Sequence, residues 1–202
     1  PAGDALPEGA FEVTATVTDA AGNSTSDISS NEVVIDTTAP ATPDVTSLLT
    51  NDDTPTVSGN AVVGAGETLT VEINGVTYTA GDGNLVDNGD GTWDLTIPVG
   101  DALADGVYDV IVMVTDAAGN STTDVTTNEL EIDSAASPTP TVISLTTNDN
   151  TPVVSGTAIV GAGETLTVEV NGITYTAGDG NLVDNGDGTW DLTIPAGNVL
   201  TD

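Results

Sequence analysis

Three features of the sequence predict an all-β fold built as tandem two-sheet sandwiches. Apolar residues recur at every second position, short alternating runs are separated by Gly, Asn, Asp and Pro, and the pattern repeats every 97 residues. "VTDAAGNST" stands at 17–25 and again at 114–122, "GAGETLTVE" at 64–72 and again at 161–169. Thr77 to Pro98 and Thr174 to Pro195 are identical over 22 residues. A period near the size of a small domain indicates an array of whole domains, not a solenoid of short units. The boundaries predicted are 1–35 for the C-terminal part of one repeat, 36–132 for a complete repeat, and 133–202 for the N-terminal part of the next. Both ends fall inside a repeat, so the sequence reads as a window on a longer protein.

Within 36–132 seven strands are expected. The run at 43–48 is followed by one at 55–63. "LTVEINGVTYTA" from Leu69 holds two alternating runs, 68–74 and 76–80, joined at Asn74-Gly75, a dipeptide suited to a two-residue hairpin. Residues 81–91, with "DNGDG" at their end, read as a loop. "TWDLTIP" gives a strand over 92–98 with Trp93, Leu95 and Ile97 facing inward. The run 107–115 points Tyr108, Val110, Val112 and Val114 inward, as its copy points Phe11, Val13, Ala15 and Val17, and 128–132 is the last strand. Seven short strands in about a hundred residues describe an immunoglobulin-like sandwich, and Tyr108 sits where such folds place a tyrosine corner. Trp93 and Trp190 read as core residues; a sugar-stacking platform is the alternative. Disorder, the other reading of an acidic chain, conflicts with the regular alternation.

Composition limits the chemistry. The chain has 32 Asp and Glu and no Lys, Arg, His or Cys, a net charge of −32. Disulfides, thiolate metal sites, imidazole bases and Schiff-base amines are excluded, and nucleic acid and anionic lipid would be repelled. No apolar run reaches the roughly 18 residues of a membrane span. A glycosidase would need two carboxylates about 5–10 Å apart in a cleft, which a small closed sandwich does not offer. The expectation is a protein without enzymatic activity.

Alternating strand directions gather the linker, residues 64–67 and residues 116–120 at one end of each sandwich. This places the linker acids Asp36 and Asp133 near the loop pair Asp116 and Asn120, whose copies are Asp19 and Asn23. Glu67 and its copy Glu164 are neighbours on the second loop, and Asp101 lies in the loop at the opposite end. Two like charges about 4 Å apart repel by roughly 1 kcal/mol even in water. A hard cation with six to eight oxygen ligands relieves this, so calcium is the expected ion, with magnesium second. The competing reading makes these acids solvated turn residues, since Asp and Asn favour turns in their own right. The stretch 81–91 is not an EF-hand, because Val86 stands where a third ligand belongs.

"DTTAPATPDVTSLLTNDDTPTVSGNAVVGAGETLTVEING" and "VTDAAGNSTTDVTTNELEID" resemble the bacterial Ig-like repeats of giant surface adhesins of the biofilm-associated and repeats-in-toxin type, exported by type I secretion. The resemblance implies an extracellular extender at the bacterial cell surface, stiffened by calcium at its linkers and holding an adhesive tip away from the cell. It implies Asp36 and Asp133 as linker acids and Asp19 and Asp116 as loop acids. The partners expected are neighbouring repeats of the same chain. Two alternatives stand beside it: a calcium-dependent glycan- or receptor-binding module, and a self-assembling filament in which part-repeats of different copies complete each other. The second linker has Ser137 where the first has Pro40, so its backbone is less restrained. A protease specific for apolar residues is expected to cut first within 133–140, as mapped by mass spectrometry of early fragments; early cuts inside 107–115 would overturn the domain map.

Overall fold

The computed structural model describes residues 5–200; residues 1–4 and 201–202 of the two outer segments lie outside the described residues. The chain divides into two compact units, Pro1–Ser134 and Ala135–Asp202. Within the first unit, residues 5–35 carry β1 (Gly9–Phe11), β2 (Thr16–Thr18), β3 (Ser24–Ser26) and β4 (Val33–Ile35). β1 pairs antiparallel with β4 and β2 with β3, so the segment is a two-part ladder.

The repeat that follows is an all-β immunoglobulin-like sandwich of ten short strands. These are β5 (Leu48–Thr50), β6 (Thr56–Asn60), β7 (Thr68–Ile73), β8 (Val76–Thr79), β9 (Leu85–Asp87), β10 (Thr92–Thr96), β11 (Gly106–Tyr108), β12 (Val110–Thr115), β13 (Ser121–Thr123) and β14 (Leu130–Ile132). One sheet has the order β6-β10-β9. The other face consists of β13-β12-β7-β8 and β11-β14-β5, linked because β11 and β12 are separated only by Asp109. β14 and β5 run parallel, pairing Leu130 with Leu48 and Ile132 with Thr50.

The alternation seen in the sequence is the inside–outside alternation of the sheets. Trp93, Leu95, Val112, Val114, Leu69, Val71 and Leu130 are fully buried, and Ile97 and Val110 nearly so. Burying each large apolar side chain supplies about 1.5–3 kcal/mol. Both tryptophans are core residues, Trp93 0% and Trp190 1% exposed, which removes the stacking-platform alternative. Asn74 and Gly75 both have positive φ, 53° and 79°, as the tight β7–β8 hairpin requires. The Tyr108 hydroxyl donates to the Ala104 carbonyl at 2.8 Å, closing the tyrosine corner.

Four details differ from the sequence reading, one being β13, which lies between the expected strands 107–115 and 128–132 and pairs with β12. The first predicted strand, 43–48, is two pieces. Asp44 and Thr46 donate backbone hydrogen bonds to Asn60 and Ser58, after which β5 crosses to the other sheet beside β14. The predicted loop 81–91 contains β9, which pairs with β10. The run 107–115 breaks at Asp109, because β11 pairs with β14 while β12 pairs with β7.

Residues 135–200 form the second unit from β15 (Thr141–Val142), β16 (Val153–Thr157), β17 (Thr167–Val170), β18 (Ile173–Thr176), β19 (Leu182–Asp184) and β20 (Thr189–Thr193). β15-β16-β20-β19 form one sheet and β17-β18 a separate pair. Their core is smaller, centred on Leu182, Trp190, Leu192 and Ile194.

One contact in the complete repeat has little slack. A Cβ on Gly59 would lie 2.1 Å from the Asp44 carbonyl oxygen and 2.9 Å from the Trp93 ring. The Trp93 indole donates to that same carbonyl at 3.2 Å. Gly59→Ala is therefore expected to lower the stability of this repeat by on the order of 1–3 kcal/mol, the usual cost of overpacking. Calorimetry would read this as a shift of one transition, and an unchanged midpoint would refute the packing.

Candidate functional site at the Asp36 linker

The linker after β4 runs over one end of the complete sandwich and is fastened by side chains of its loops. The β12–β13 loop begins with Asp116, whose carboxylate folds back on its own turn. Its Oδ1 accepts from the Ala118 and Asn120 amides at 2.9 Å each, and its Oδ2 accepts from Asn120 Nδ2 at 2.8 Å. This is why Asp and Asn stand four residues apart in "TDAAGN": the carboxylate caps the turn and holds the amide in place. Asn120 Nδ2 also donates to the Asp36 carbonyl at 3.0 Å, 84 residues away in sequence. Thr122 Oγ1 donates to the Pro40 carbonyl at 2.7 Å.

A second fastening comes from Glu8, in the loop before β1. Its carboxylate accepts from Thr37 Oγ1 at 2.9 Å and from Thr38 Oγ1 at 3.0 Å. Asp36 Oδ1 accepts from the Thr38 amide at 3.1 Å, turning the linker at its first residue. Glu67 Oε2 accepts from the Gly64 amide at 2.7 Å and closes the β6–β7 loop beside them. Glu8, Asp36, Glu67 and Asp116 together line an open groove of about 440 Å³, with Thr38, Pro40 and Ala117 between them.

The remaining predicted residues are placed elsewhere. Asp19 and Asn23 reproduce the Asp116–Asn120 turn in the β2–β3 loop. Glu164 accepts from the Gly161 amide at 2.6 Å and from Ser137 Oγ at 2.5 Å. Asp133 donates its backbone amide to the Thr50 carbonyl at 2.9 Å. Asp101 accepts the Tyr78 hydroxyl at 2.8 Å. Desolvation, aided by this bond and the Asp101 charge, pushes the Tyr78 phenol up to about 12. Among the described residues no group of three or more Asp and Glu side chains is gathered to hold a metal ion.

The electrostatics follow from these bonds. The Asn120 side chain, then the Asn120 and Ala118 amides, hold the Asp116 carboxyl below its ordinary value. Ser137 and the Gly161 amide do the same for Glu164, and the Ser134 hydroxyl and amide do so for Asp105.

Sequence reasoning missed Glu8 and Asp105. They are counterparts one period apart, and both accept from the residues just after the last strand of their repeat, Thr37 and Thr38 in one case and Ser134 in the other. The recurrence of an acid at that point with hydroxyls 29 residues on was the available signal.

Residues 44–134 match the family model of the bacterial Ig-like domain. No curated protein matches the sequence. Among solved structures, the titin z1z2 domains in complex with telethonin are 16% identical, with 83% of this chain and 85% of that chain covered and a TM-score of 0.36. The Bacteroides ovatus SGBP-B of a mixed-linkage glucan utilization locus, in complex with a heptasaccharide, is 16% identical; 98% of this chain and 45% of that chain are covered, with a TM-score of 0.30.

Because the folded carboxyl of Asp116 lies below its unfolded value, its contribution is complete above the unfolded pKa, near 4, and is lost as pH falls through the folded one. Asp116→Asn should therefore melt lower than wild type at neutral pH, with the difference shrinking below about pH 4. A difference that stays constant down to pH 2 would show that the carboxylate is not engaged in the fold.

Proposed function

We propose that the chain is a spacer segment of a bacterial surface protein, extracellular and without catalytic activity, in which tandem sandwiches hold a distal adhesive region away from the cell. The observation that carries this reading is the fastened linker. Asn120, Thr122 and Glu8 bond to residues 36–40 from both sides, so the segment before Asp36 and the sandwich after it are tied by side chains as well as by the peptide. A spacer gains reach from such ties, because each one restricts bending where an untied linker would leave neighbours mobile. The match of residues 44–134 to the bacterial Ig-like domain, the near-identity of the repeats and a core closed over Trp93 support the same reading. No helix among the described residues is long and apolar enough to cross a membrane.

Calcium belongs to this proposal. Glu8, Asp36, Glu67 and Asp116 line one groove in a chain with no cationic side chain, but their carboxylates are not gathered, so to hold a calcium ion they would have to turn from their present donors toward a common point. The ion would supply positive charge between acids that have only N–H and O–H donors around them.

Thermal melting and small-angle scattering of the 202-residue chain test this. Calcium should raise Tm and the maximum dimension, with stabilisation of about 2.7 kcal/mol at a hundred times its dissociation constant. Asp36→Asn and Asp116→Asn should each weaken the response. Sodium chloride of matched ionic strength is the control, since screening acts over about 8 Å at physiological salt. If sodium chloride reproduces the whole shift, the linker is fastened by its hydrogen bonds alone.

A further inference from the structure

Asn-Gly occurs four times, at 74–75 and 88–89 in the complete repeat and at 171–172 and 185–186 one period later. Glycine has no Cβ, so its backbone nitrogen reaches the side-chain carbonyl carbon of the preceding Asn with little obstruction. An unfolded chain therefore treats the four sites alike. The folded chain does not.

Asn88 is held on both reacting sides. Its Nδ2 donates to Thr92 Oγ1 and to Asp94 Oδ2, each at 2.9 Å, and the Gly89 amide donates to Asp87 Oδ1 at 3.0 Å. The Asn88 amide donates to the Thr92 carbonyl at 3.0 Å. Asn185 repeats every one of these bonds, to Thr189 and Asp191, and from Gly186 to Asp184. Asn74 is the reverse case. It stands exposed at the tip of the two-residue β7–β8 turn with φ of 53°, and Ile73 pairs with Val76 across it. Neither its side-chain amide nor the Gly75 amide has a hydrogen-bond partner among the described residues, and the space around Gly75 is open. Asn171 has the same turn, with φ of 52° and Val170 paired with Ile173.

We propose that Asn74 and its copy Asn171 are sites of spontaneous deamidation and isoaspartate formation, and that Asn88 and Asn185 are protected by their bonds. The Gly75 nitrogen gives up its proton to water and attacks Asn74 Cγ. The new N–C bond closes a succinimide ring as the bond from Cγ to Nδ2 breaks, and the nitrogen leaves as ammonia. Water then opens the ring at either carbonyl and leaves Asp or isoaspartate at 74; nothing is oxidised or reduced. The left-handed backbone at Asn74 does not aim the Gly75 nitrogen at Cγ, so the turn must first open. Opening is local, because β8 is the last strand of its sheet and only the closing pair of the hairpin has to part. At Asn88 the same rearrangement must also break a hydrogen bond to a carboxylate.

Either product adds a negative charge to a chain of −32. Isoaspartate also lengthens the main chain by a methylene in a turn that closes on two residues. This displaces the start of β8, whose Tyr78 lies in the core and bonds Asp101.

The proposal does not rest on the spacer reading or on calcium. To test it, the 202-residue chain is aged at mildly alkaline pH, folded or in urea, and digested with pepsin, which needs no Lys or Arg. Mass spectrometry reads the amide-to-acid increment, and electron-transfer fragmentation tells isoaspartate from Asp. Peptides around 74 and 171 differ at Ile73/Val170 and Val76/Ile173, so each copy is followed separately. Asn88 and Asn185 fall in the identical stretches 77–98 and 174–195 and are read together. In the folded chain Asn74 and Asn171 should react faster than this pair by on the order of tenfold or more, the weight of one hydrogen bond to a charged group. In urea the rates should converge. Equal rates in the folded chain, or an Asn74 that reacts in urea and stays intact when folded, would overturn the proposal. Melting gives a second readout. The aged chain should melt below the Asn74→Asp, Asn171→Asp double variant, which carries the added charges on an ordinary backbone. An aged chain that melts with that variant would overturn the role assigned to the lengthened turn.

Discussion

The structure depends on one constraint: 32 carboxylates share a chain with no cationic side chain. Salt bridges to side chains are not available, so each acid must find N–H or O–H donors or stay in water. Acceptors that are ionised make stronger hydrogen bonds than neutral ones, and the fold uses them where strand ladders end or loops turn. Asp82 accepts from the amides of Thr79, Asn84 and Leu85, Asp116 from Ala118 and Asn120, and Glu67 from Gly64. These bonds outweigh the mutual repulsion of the charges at several sites. Asp82, with the Leu85 and then the Asn84 amide as its main partners, is held below its ordinary pKa, as are Asp19, Asp105 and Asp116.

The same device shapes the strand that crosses between ladders. At Asp109 the chain leaves β14 and joins β7, and backbone amides near that step lose their usual carbonyl partners. Carboxylates replace them. Glu129 Oε2 accepts from the Val110 amide, Asp124 Oδ1 from the Val112 amide, and Asp109 Oδ1 from the Asn128 amide. Glu129 is only 3% exposed and its Oε1 has no partner, so a carboxyl group is buried where it satisfies the Val110 amide. An orphaned backbone donor in the core costs about 1–3 kcal/mol. The same arrangement recurs one period earlier, with Glu32 on Val13 and Asp27 on Ala15.

The sandwich was legible in the sequence because burial and alternation are the same signal read twice. Trp93, Leu95 and Ile97, the Asn74-Gly75 hairpin and the Tyr108 corner all sit where periodicity and turn chemistry place them. What escaped depends on partners distant in sequence. β9 is three residues inside a Gly-rich stretch, and it is a strand because β10 lies beside it. Gly59 reads as a weak strand residue; only the Asp44 carbonyl over Trp93 shows why no side chain fits. Loop acids were legible as a group, but their roles were not. Asp116 and Asn120 serve the linker through hydrogen bonds within and across loops, and Glu8 joins them from the opposite side.

Two segments that differ at one position in four make a strand in one setting and none in the other, so a strand here depends on its partner as well as on its residues. "SLLT" at 47–50 and "SLTT" at 144–147 differ by one residue, yet only the first forms a strand. The difference is β14, whose parallel edge supplies the ladder for Leu48–Thr50. By contrast "TWDLT" is the same strand in both copies, because its partners on either side, β6 and β9 or β16 and β19, lie in the same segment. One sheet of each sandwich is therefore specified by neighbours close in sequence, and the other waits for the last strands of the repeat. The tryptophan-centred sheet is accordingly present in both units, as β6-β10-β9 in one and β15-β16-β20-β19 in the other.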